Sequence, residues 1–288
     1  MIRSERLAPW LFLAPALLLL LVWRYFPIVW GLRESFYTNA LNFNSGREFV
    51  GLDNFRWLLD DPTFWQSLKV TMVFNVIVNP LQTVLAFLLA LFINRSIRGI
   101  GAFRTVLLLP IAISINISAL AWGLALNTEY GLVNGMLEAV GLERQLFLRS
   151  VAEALPTMIG IVSWIGVPLW ALFFLAGLQN IPADVIEAAR LDGANRLQTL
   201  FQITLPLMKR VIAFVLVSAT VANLTLFAPP YLLTRGGPQE STNLMLYEAW
   251  QRGFVYSDLG ASAAMTMILL GITAVVVVIE FAFLRPSD

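Results

Sequence analysis

The chain has 288 residues, 58% of them hydrophobic and 13% charged, about half the charged share of an ordinary soluble domain. Mean hydropathy is +0.76 and the formal net charge is +1, which exclude a disordered chain and offer no basic field for a nucleic acid. There is no cysteine and no histidine. That removes disulfides, thiolate metal sites, the cysteine nucleophile and the usual general base, so no metal, no cofactor and no catalytic group is expected in this chain.

Six apolar stretches are each long enough to cross a hydrocarbon core of roughly 30 Å as a helix. They run over about 10–30, 70–94, 105–124, 156–178, 211–233 and 261–284. The first follows Arg3 and Arg6 like a secretory signal, but Trp23, Arg24, Tyr25 and Phe26 come next and no small-residue cleavage site does. It reads as a retained span, with Trp23, Tyr25 and Trp30 at an interface, Arg24 snorkelling and Pro27 kinking its end.

Between spans one and two, Asn39, Asn42, Asn44 and Gly46 make a polar turn region, and Phe55, Trp57, Leu58, Leu59, Phe64 and Trp65 suggest a short amphipathic surface helix. The same aromatics could instead dock an external partner. The segment between spans two and three carries Arg95, Arg98 and Arg104 and no acid. With Arg190, Arg196, Lys209, Arg210 and Arg285 on the same side, the positive-inside rule puts both termini in the cytoplasm. The segments 127–155 and 234–259 read as outer loops with short helices, the latter opening on the turn signal Thr234-Arg235-Gly236-Gly237-Pro238.

The inner loop 181–206 differs from the rest. Pro182 suits a helix start, Asp184 and Glu187 suit its positive N-terminal end, and Glu187 and Arg190 are spaced to pair. Ala188, Ala189 and Gly193 are small, and Ala189 and Gly193 share a face that another protein surface could approach. Gly193 is a natural stop. A second short helix follows with Leu197, Leu200, Phe201 and Ile203 apolar at helical spacing, and Leu205-Pro206 leads into span five.

The string Glu187-Ala188-Ala189, Asp192-Gly193-Ala194, Ile203-Thr204-Leu205-Pro206 resembles the EAA loop of ABC importer permeases. Gly51-Leu52-Asp53-Asn54-Phe55, Leu108-Leu109-Pro110, Leu233-Thr234-Arg235-Gly236-Gly237-Pro238 and Gly260-Ala261-Ser262-Ala263-Ala264 extend the resemblance over the whole chain. It is to carbohydrate permeases of the maltose and glycerol-phosphate type, and within them to the larger maltose permease subunit without its extra N-terminal spans. The resemblance implies an all-α membrane protein, a single permease domain over 1–288, with six transmembrane helices, a cytoplasmic coupling elbow at 181–206 and both termini cytoplasmic. It also implies that Glu187, Ala188, Ala189, Asp192 and Gly193 couple to a dimer of cytoplasmic ATPase subunits. A second similar permease subunit, an external solute-binding protein and surrounding lipid complete the assembly. ATP and Mg would be used by the ATPase alone, because neither Lys69 nor Lys209 follows a phosphate-loop pattern in this sequence.

Polar groups inside spans are functional candidates, though each could equally bond a neighbouring helix. Span two has Asn75, Asn79 and Gln82; span three has Ser114, Asn116 and Ser118; span five has Ser218, Thr220, Asn223 and Thr225. Together with aromatic groups they suit a sugar or polyol, which carries hydroxyls and a C–H face. The expected path residues are Trp164, Gly166, Asn223, Thr225 and Phe227, with Trp164, Gly166 and Phe227 near Asn223 around a central cavity. By the resemblance, Gly166 and Asn223 match sugar contacts, whereas Val162, Leu169, Ala222 and Leu226 depart from the maltose-type residues, which argues against maltose itself. The rival readings are a secondary transporter, for which Glu280 is the only acid well inside a span, and an intramembrane enzyme, which lacks a clear carboxylate pair or Ser–Lys site.

Overall fold

Residues 2–38, 48–95 and 99–284 are described in the structure, a computed structural model. Asn39, Asn42, Asn44, Gly46, Arg98 and Arg285 lie outside them. Among the described residues the fold is helical throughout, with one isolated antiparallel bridge between Tyr37 and Phe49. Among the described residues four helices are long and apolar enough to cross a membrane, or up to six spans if each of two bent pairs counts as one. The chain divides into two compact units, residues 1–64 with 249–270, and residues 65–248 with 271–288.

The first unit begins with α1 (Ile2–Leu20), which passes through a π turn at Leu21–Tyr25 into α2 (Phe26–Glu34). Pro27 follows directly on the π turn that holds Arg24, and because it has no N–H it cannot donate to that turn, so the helix is irregular where the two meet. Phe12, Trp23, Phe26 and Val29 are exposed, as a lipid-facing helix requires. The Arg33 guanidinium stacks 5.2 Å from the Trp30 ring and 5.5 Å from Tyr37, a cation–π pairing suited to a membrane interface.

The expected surface helix is α3 (Asp53–Asp60), with Leu58 buried and Trp57 and Leu59 exposed. Its Asn54 donates through Nδ2 to the carbonyls of Ser35 (2.8 Å) and Tyr37 (3.0 Å), tying the helix to the chain leaving α2. A Cβ on Gly260 would lie 2.4 Å from the Tyr37 carbonyl oxygen and 2.8 Å from Asn54 Nδ2. Two of the motifs that mark this sequence therefore meet as one packing joint. Gly260→Ala is expected to destabilise the protein by about 1–3 kcal/mol through overpacking against backbone. Thermal unfolding of the purified variant measures this, and an unchanged midpoint counts against it.

The second unit is built on α4 (Pro62–Ile93), α8 (Ala154–Gln179) and α12 (Lys209–Leu224). Ala86, Ala90, Trp170, Ala171, Phe174, Leu178, Met208, Val215 and Ala219 form its main apolar core. Small residues let the helices approach closely: a Cβ on Gly177 would meet Met208 Cε at 2.8 Å and Val211 Cγ2 at 2.9 Å.

Two spans differ from expectation. The stretch 105–124 is not one straight helix: α5 (Ile100–Leu108) and a 3₁₀ turn at Leu109–Ala112 meet α6 (Ile115–Ala125) at 100°. Pro110 opens the 3₁₀ turn and Ser114 restarts the helix by accepting from Asn116 N–H at 3.4 Å. The stretch 211–233 is not one helix: α12 ends at Leu224, and after a break at 225–227 the chain turns helical again, with Pro229 and Pro230 in the opening turn of a π segment at Pro230–Thr234, where prolines are tolerated. The remaining elements are α7 (Leu132–Ala139), α9 (Ala183–Leu191), α10 (Arg196–Gln198), α11 (Leu205–Leu207), α13 (Met245–Trp250) and α14 (Leu259–Leu284).

Candidate functional site

Helix α9 is a short helix that starts after Pro182 and is stopped at its other end by local chemistry. Pro182 is its N-cap residue, one position earlier than a first-turn proline, and Asp184 lies in its first turn. At the other end Gly193 takes φ +82°, with Gly193 N–H donating to Arg190 O (3.1 Å) and Ala194 N–H to Ala189 O (3.0 Å). That is the paired bonding of a Schellman stop, which needs a residue without Cβ strain at the left-handed position. Two residues later Asn195 and Gln198 form a reciprocal capping box, Gln198 N–H to Asn195 Oδ1 at 2.9 Å and Asn195 N–H to Gln198 Oε1 at 2.7 Å. The second helix, 196–207, then meets α12 at 68°. Helix, glycine stop and helix thus form an elbow between α8 and α12.

Glu187, Ala188 and Asp192 are exposed on this elbow, but Ala189 is buried against its own chain. The shared small face of Ala189 and Gly193 is therefore not open as a whole, because Ala189 turns inward while, among the described residues, nothing lies within 4 Å of a Cβ at Gly193. No Glu187–Arg190 ion pair forms among the described residues; both side chains instead line a cleft of about 410 Å³ with Leu91, Asn94, Ile186 and Thr204. Leu191, Leu197 and Phe201 are 89%, 66% and 63% exposed. The sequence signal for them was apolar residues inside a charged loop, and they belong to the candidate surface with Glu187.

Inside the second unit, a polar stripe climbs one face of α4: Ser67, Thr71, Asn75, Asn79 and Gln82 are all buried. Their spacing of four, four, four and three residues keeps them on one face. Asn223, on α12, donates through Nδ2 to Asn79 Oδ1 (2.7 Å) and Gln82 Oε1 (3.2 Å). Trp170 Nε1, on α8, donates to the same Gln82 oxygen at 3.3 Å. A Cβ on Gly166 would fall 3.1 Å from Gln82 Nε2, and that nitrogen has no partner among the described residues. Gln82 is thus the residue on which Gly166, Trp170 and Asn223 converge. Sequence reading noted it only as one polar group of span two.

The other path residues do not join this cluster. Trp164 is packed edge-on against Trp122 and lines an apolar cavity of about 540 Å³ with Ser163, Val167 and Pro168. Thr225 is exposed and donates back to Val221 O at 2.8 Å, a local helix-end bond. Phe227 stacks on Tyr231 at 5.2 Å and leans on Tyr247. The expectation that Trp164, Gly166 and Phe227 surround Asn223 holds for Gly166 alone, and only through Gln82. Asn223 itself is buried in a helix–helix contact, because Asn79 and Gln82 on α4 stand opposite it and consume its amide protons.

These features define a multi-pass helical transport subunit. Its fold is that of the permease of a bacterial ABC transporter importing the acidic polysaccharide alginate, with a TM-score of 0.84 and 24% identity over 99% of both chains. The chain belongs to the family described as binding-protein-dependent transport system inner membrane component, matched over residues 6–285. It is 31% identical over 285 residues to the sulfoquinovosyl glycerol transport system permease protein SmoG of Agrobacterium fabrum, covering 99% of this chain and 92% of that one. It is 32% identical over 282 residues to the sn-glycerol-3-phosphate transport system permease protein UgpA of the same organism, covering 98% and 96%. The protein is accordingly a multi-pass component of the inner membrane.

Proposed function

We propose that the chain forms half of the translocation path of an ATP-driven importer for a sugar, an oligosaccharide or a polyol handed over by an external binding protein. A second, similar permease subunit supplies the other half. Both termini are cytoplasmic, and the elbow at 181–206 docks on a dimer of ATPase subunits that alone use ATP and Mg. Glu187 offers charge-assisted bonds to that partner, and Leu191, Leu197 and Phe201 offer apolar knobs. The observation that carries the reading is the doubly capped elbow linking α8 and α12. These are the helices whose Trp170, Gly166 and Asn223 meet at Gln82, so a push on the elbow reaches the polar cluster directly. The relatives named for sulfoquinovosyl glycerol and glycerol phosphate support a polyhydroxylated cargo.

The test is reconstitution with the cognate ATPase and binding protein. The binding protein is first screened by thermal shift against monosaccharides, disaccharides, polyols and glycerol phosphates. Uptake of its best ligand into proteoliposomes should require ATP. Uptake driven by an ion gradient without the ATPase would instead establish a secondary transporter. Asn223→Ala is expected to lower uptake roughly 3- to 10-fold while the complex still assembles, because Asn79 and Gln82 each lose a buried donor. Wild-type uptake by that variant counts against a path role for Asn223.

A further inference from the structure

We propose that the cleft between α6, the segment 127–149 and the π turn at Pro230–Thr234 binds one phospholipid with a phosphoethanolamine head, an acyl chain lying on leucines and the phosphate on Arg149. The cleft has a volume of about 500 Å³ and lies wholly within the second unit. Its floor is apolar, with Leu120 and Leu124 on α6 and Leu232 and Leu233 on the π turn. Gly123 closes that floor, since a Cβ there would lie 2.9 Å from Leu233 Cδ2 and hold the two elements apart. Leu120 and Leu124 are exposed, as the lipid-facing side of a span is, and the chain turns polar soon after them at Asn127, Thr128 and Glu129. The boundary between hydrocarbon and water therefore crosses this cleft. Tyr130 at its rim and the exposed stripe of Leu132, Met136 and Val140 along α7 belong at the same level.

Asn127, Tyr130 and Arg149 line the polar rim. Asn127 Oδ1 accepts from the backbone N–H groups of Glu129 (2.9 Å) and Tyr130 (3.2 Å). Those groups only donate, so the amide is fixed with Nδ2 turned away from them. That Nδ2 has no partner among the described residues, and neither have the Tyr130 hydroxyl or Nε and Nη2 of Arg149. The rim is also held in place: buried Asn134 donates through Nδ2 to the carbonyls of Thr128 (3.2 Å) and Gln145 (2.9 Å), and Gln145 N–H donates back to Asn134 Oδ1 at 3.0 Å. A phosphodiester offers charged oxygens that only accept, the complement of three free donors around one guanidinium. Water would satisfy the same donors but would leave the leucine floor wet; a phospholipid serves both. Glu129 selects the head. Its Oε1 already takes Arg149 Nη1 at 2.9 Å, so the pair is neutral and a net anionic head gains little. An ethanolamine ammonium can donate to Glu129 Oε2 while the phosphate takes Arg149.

The test places the reconstituted complex in phosphatidylcholine vesicles with a trace of phosphatidylethanolamine whose acyl chain is photoactivatable, and maps crosslinked peptides by mass spectrometry. Crosslinks are expected on α6 or on 230–234. The double variant Arg149→Gln with Tyr130→Phe should lower their yield about tenfold relative to crosslinks on the exposed Val275 and Val278 of α14. Asn127→Asp keeps the acceptor for the two N–H groups and replaces the free donor by a charge that repels phosphate. It should cause a loss of the same order, and it stands in for the double variant if that one does not assemble. Excess unlabelled phosphatidylethanolamine should compete with the probe, and phosphatidylglycerol or diacylglycerol with the same chains should compete far less. Unchanged yield in Asn127→Asp, or equal competition by phosphatidylglycerol or diacylglycerol, overturns the site. An unlabelled cleft beside a labelled α14 overturns it too, because another subunit then covers the cleft. Competition by glycerol 3-phosphate, which has the phosphate and no chain, would make the cleft a station for a phosphorylated cargo and would likewise overturn the lipid assignment.

Discussion

Replacing Arg252 by alanine is expected to destabilise the protein by about 3–5 kcal/mol, the cost of leaving a buried charge without its partner. Arg252 pairs through Nη2 with Asp61 Oδ2, and the two side chains are only 8% and 16% exposed. Its guanidinium also lies 4.8 Å from the Trp57 ring centroid, so one side chain joins the end of α3 to the π turn at Gln251–Val255. Arg252→Lys keeps the charge but loses the planar fork and the stacking, so an intermediate loss follows. The double variant Arg252→Met with Asp61→Leu, which removes both charges, should be milder than Arg252→Ala alone. Thermal unfolding of the detergent-solubilised protein ranks the three. A single-variant midpoint equal to wild type, or a double variant worse than Arg252→Ala, would show that the pair carries no such weight.

That joint also marks the limit of what the sequence conveys. The helix–glycine–helix shape at 181–206 was legible because its determinants are local, Asp184 at a helix start and Gly193 at a stop, whereas the equally local capping box of Asn195 and Gln198 went unread. The long spans were legible from composition alone. The break in the third span was not, although Pro110 and Ser114 carry a stop and a start, because a run of apolar residues hides a bend that only neighbouring helices stabilise. The early end of α12 at Leu224 was likewise hidden by apolar length, since the break at 225–227 falls among Thr225, Leu226 and Phe227. Asn223 was found as a residue and missed as a partner: which face of α12 it occupies depends on Asn79 and Gln82, more than 140 positions away. Asn75, Asn79 and Gln82 do share a helical face by spacing, and that stripe was the one available hint that Gln82 is its centre.

Glu187→Lys is expected to abolish substrate-stimulated ATP hydrolysis, on the order of a tenfold loss or more, while the permease itself folds normally. Glu187 is exposed, so reversing its charge breaks no buried contact in this chain. The loss would arise at the partner, where an acceptor for charge-assisted bonds becomes a donor and meets like charge. Gly193 separates two explanations for a small residue at the bend. Its φ of +82° strains any residue with a Cβ, yet among the described residues nothing lies within 4 Å of one. Gly193→Val should therefore impair coupling, since a β-branched residue resists the left-handed conformation and the Schellman stop opens. Gly193→Asn, which tolerates that conformation, should keep most of the wild-type activity if the backbone turn is what matters. The measurement is binding-protein-stimulated ATPase activity of the purified complex, alongside the amount of ATPase subunit retained through size exclusion. Normal stimulation in Glu187→Lys would remove the elbow from the coupling path. Loss in Gly193→Asn equal to that in Gly193→Val would make position 193 a contact surface that the ATPase approaches closely, in place of a hinge that only the backbone requires.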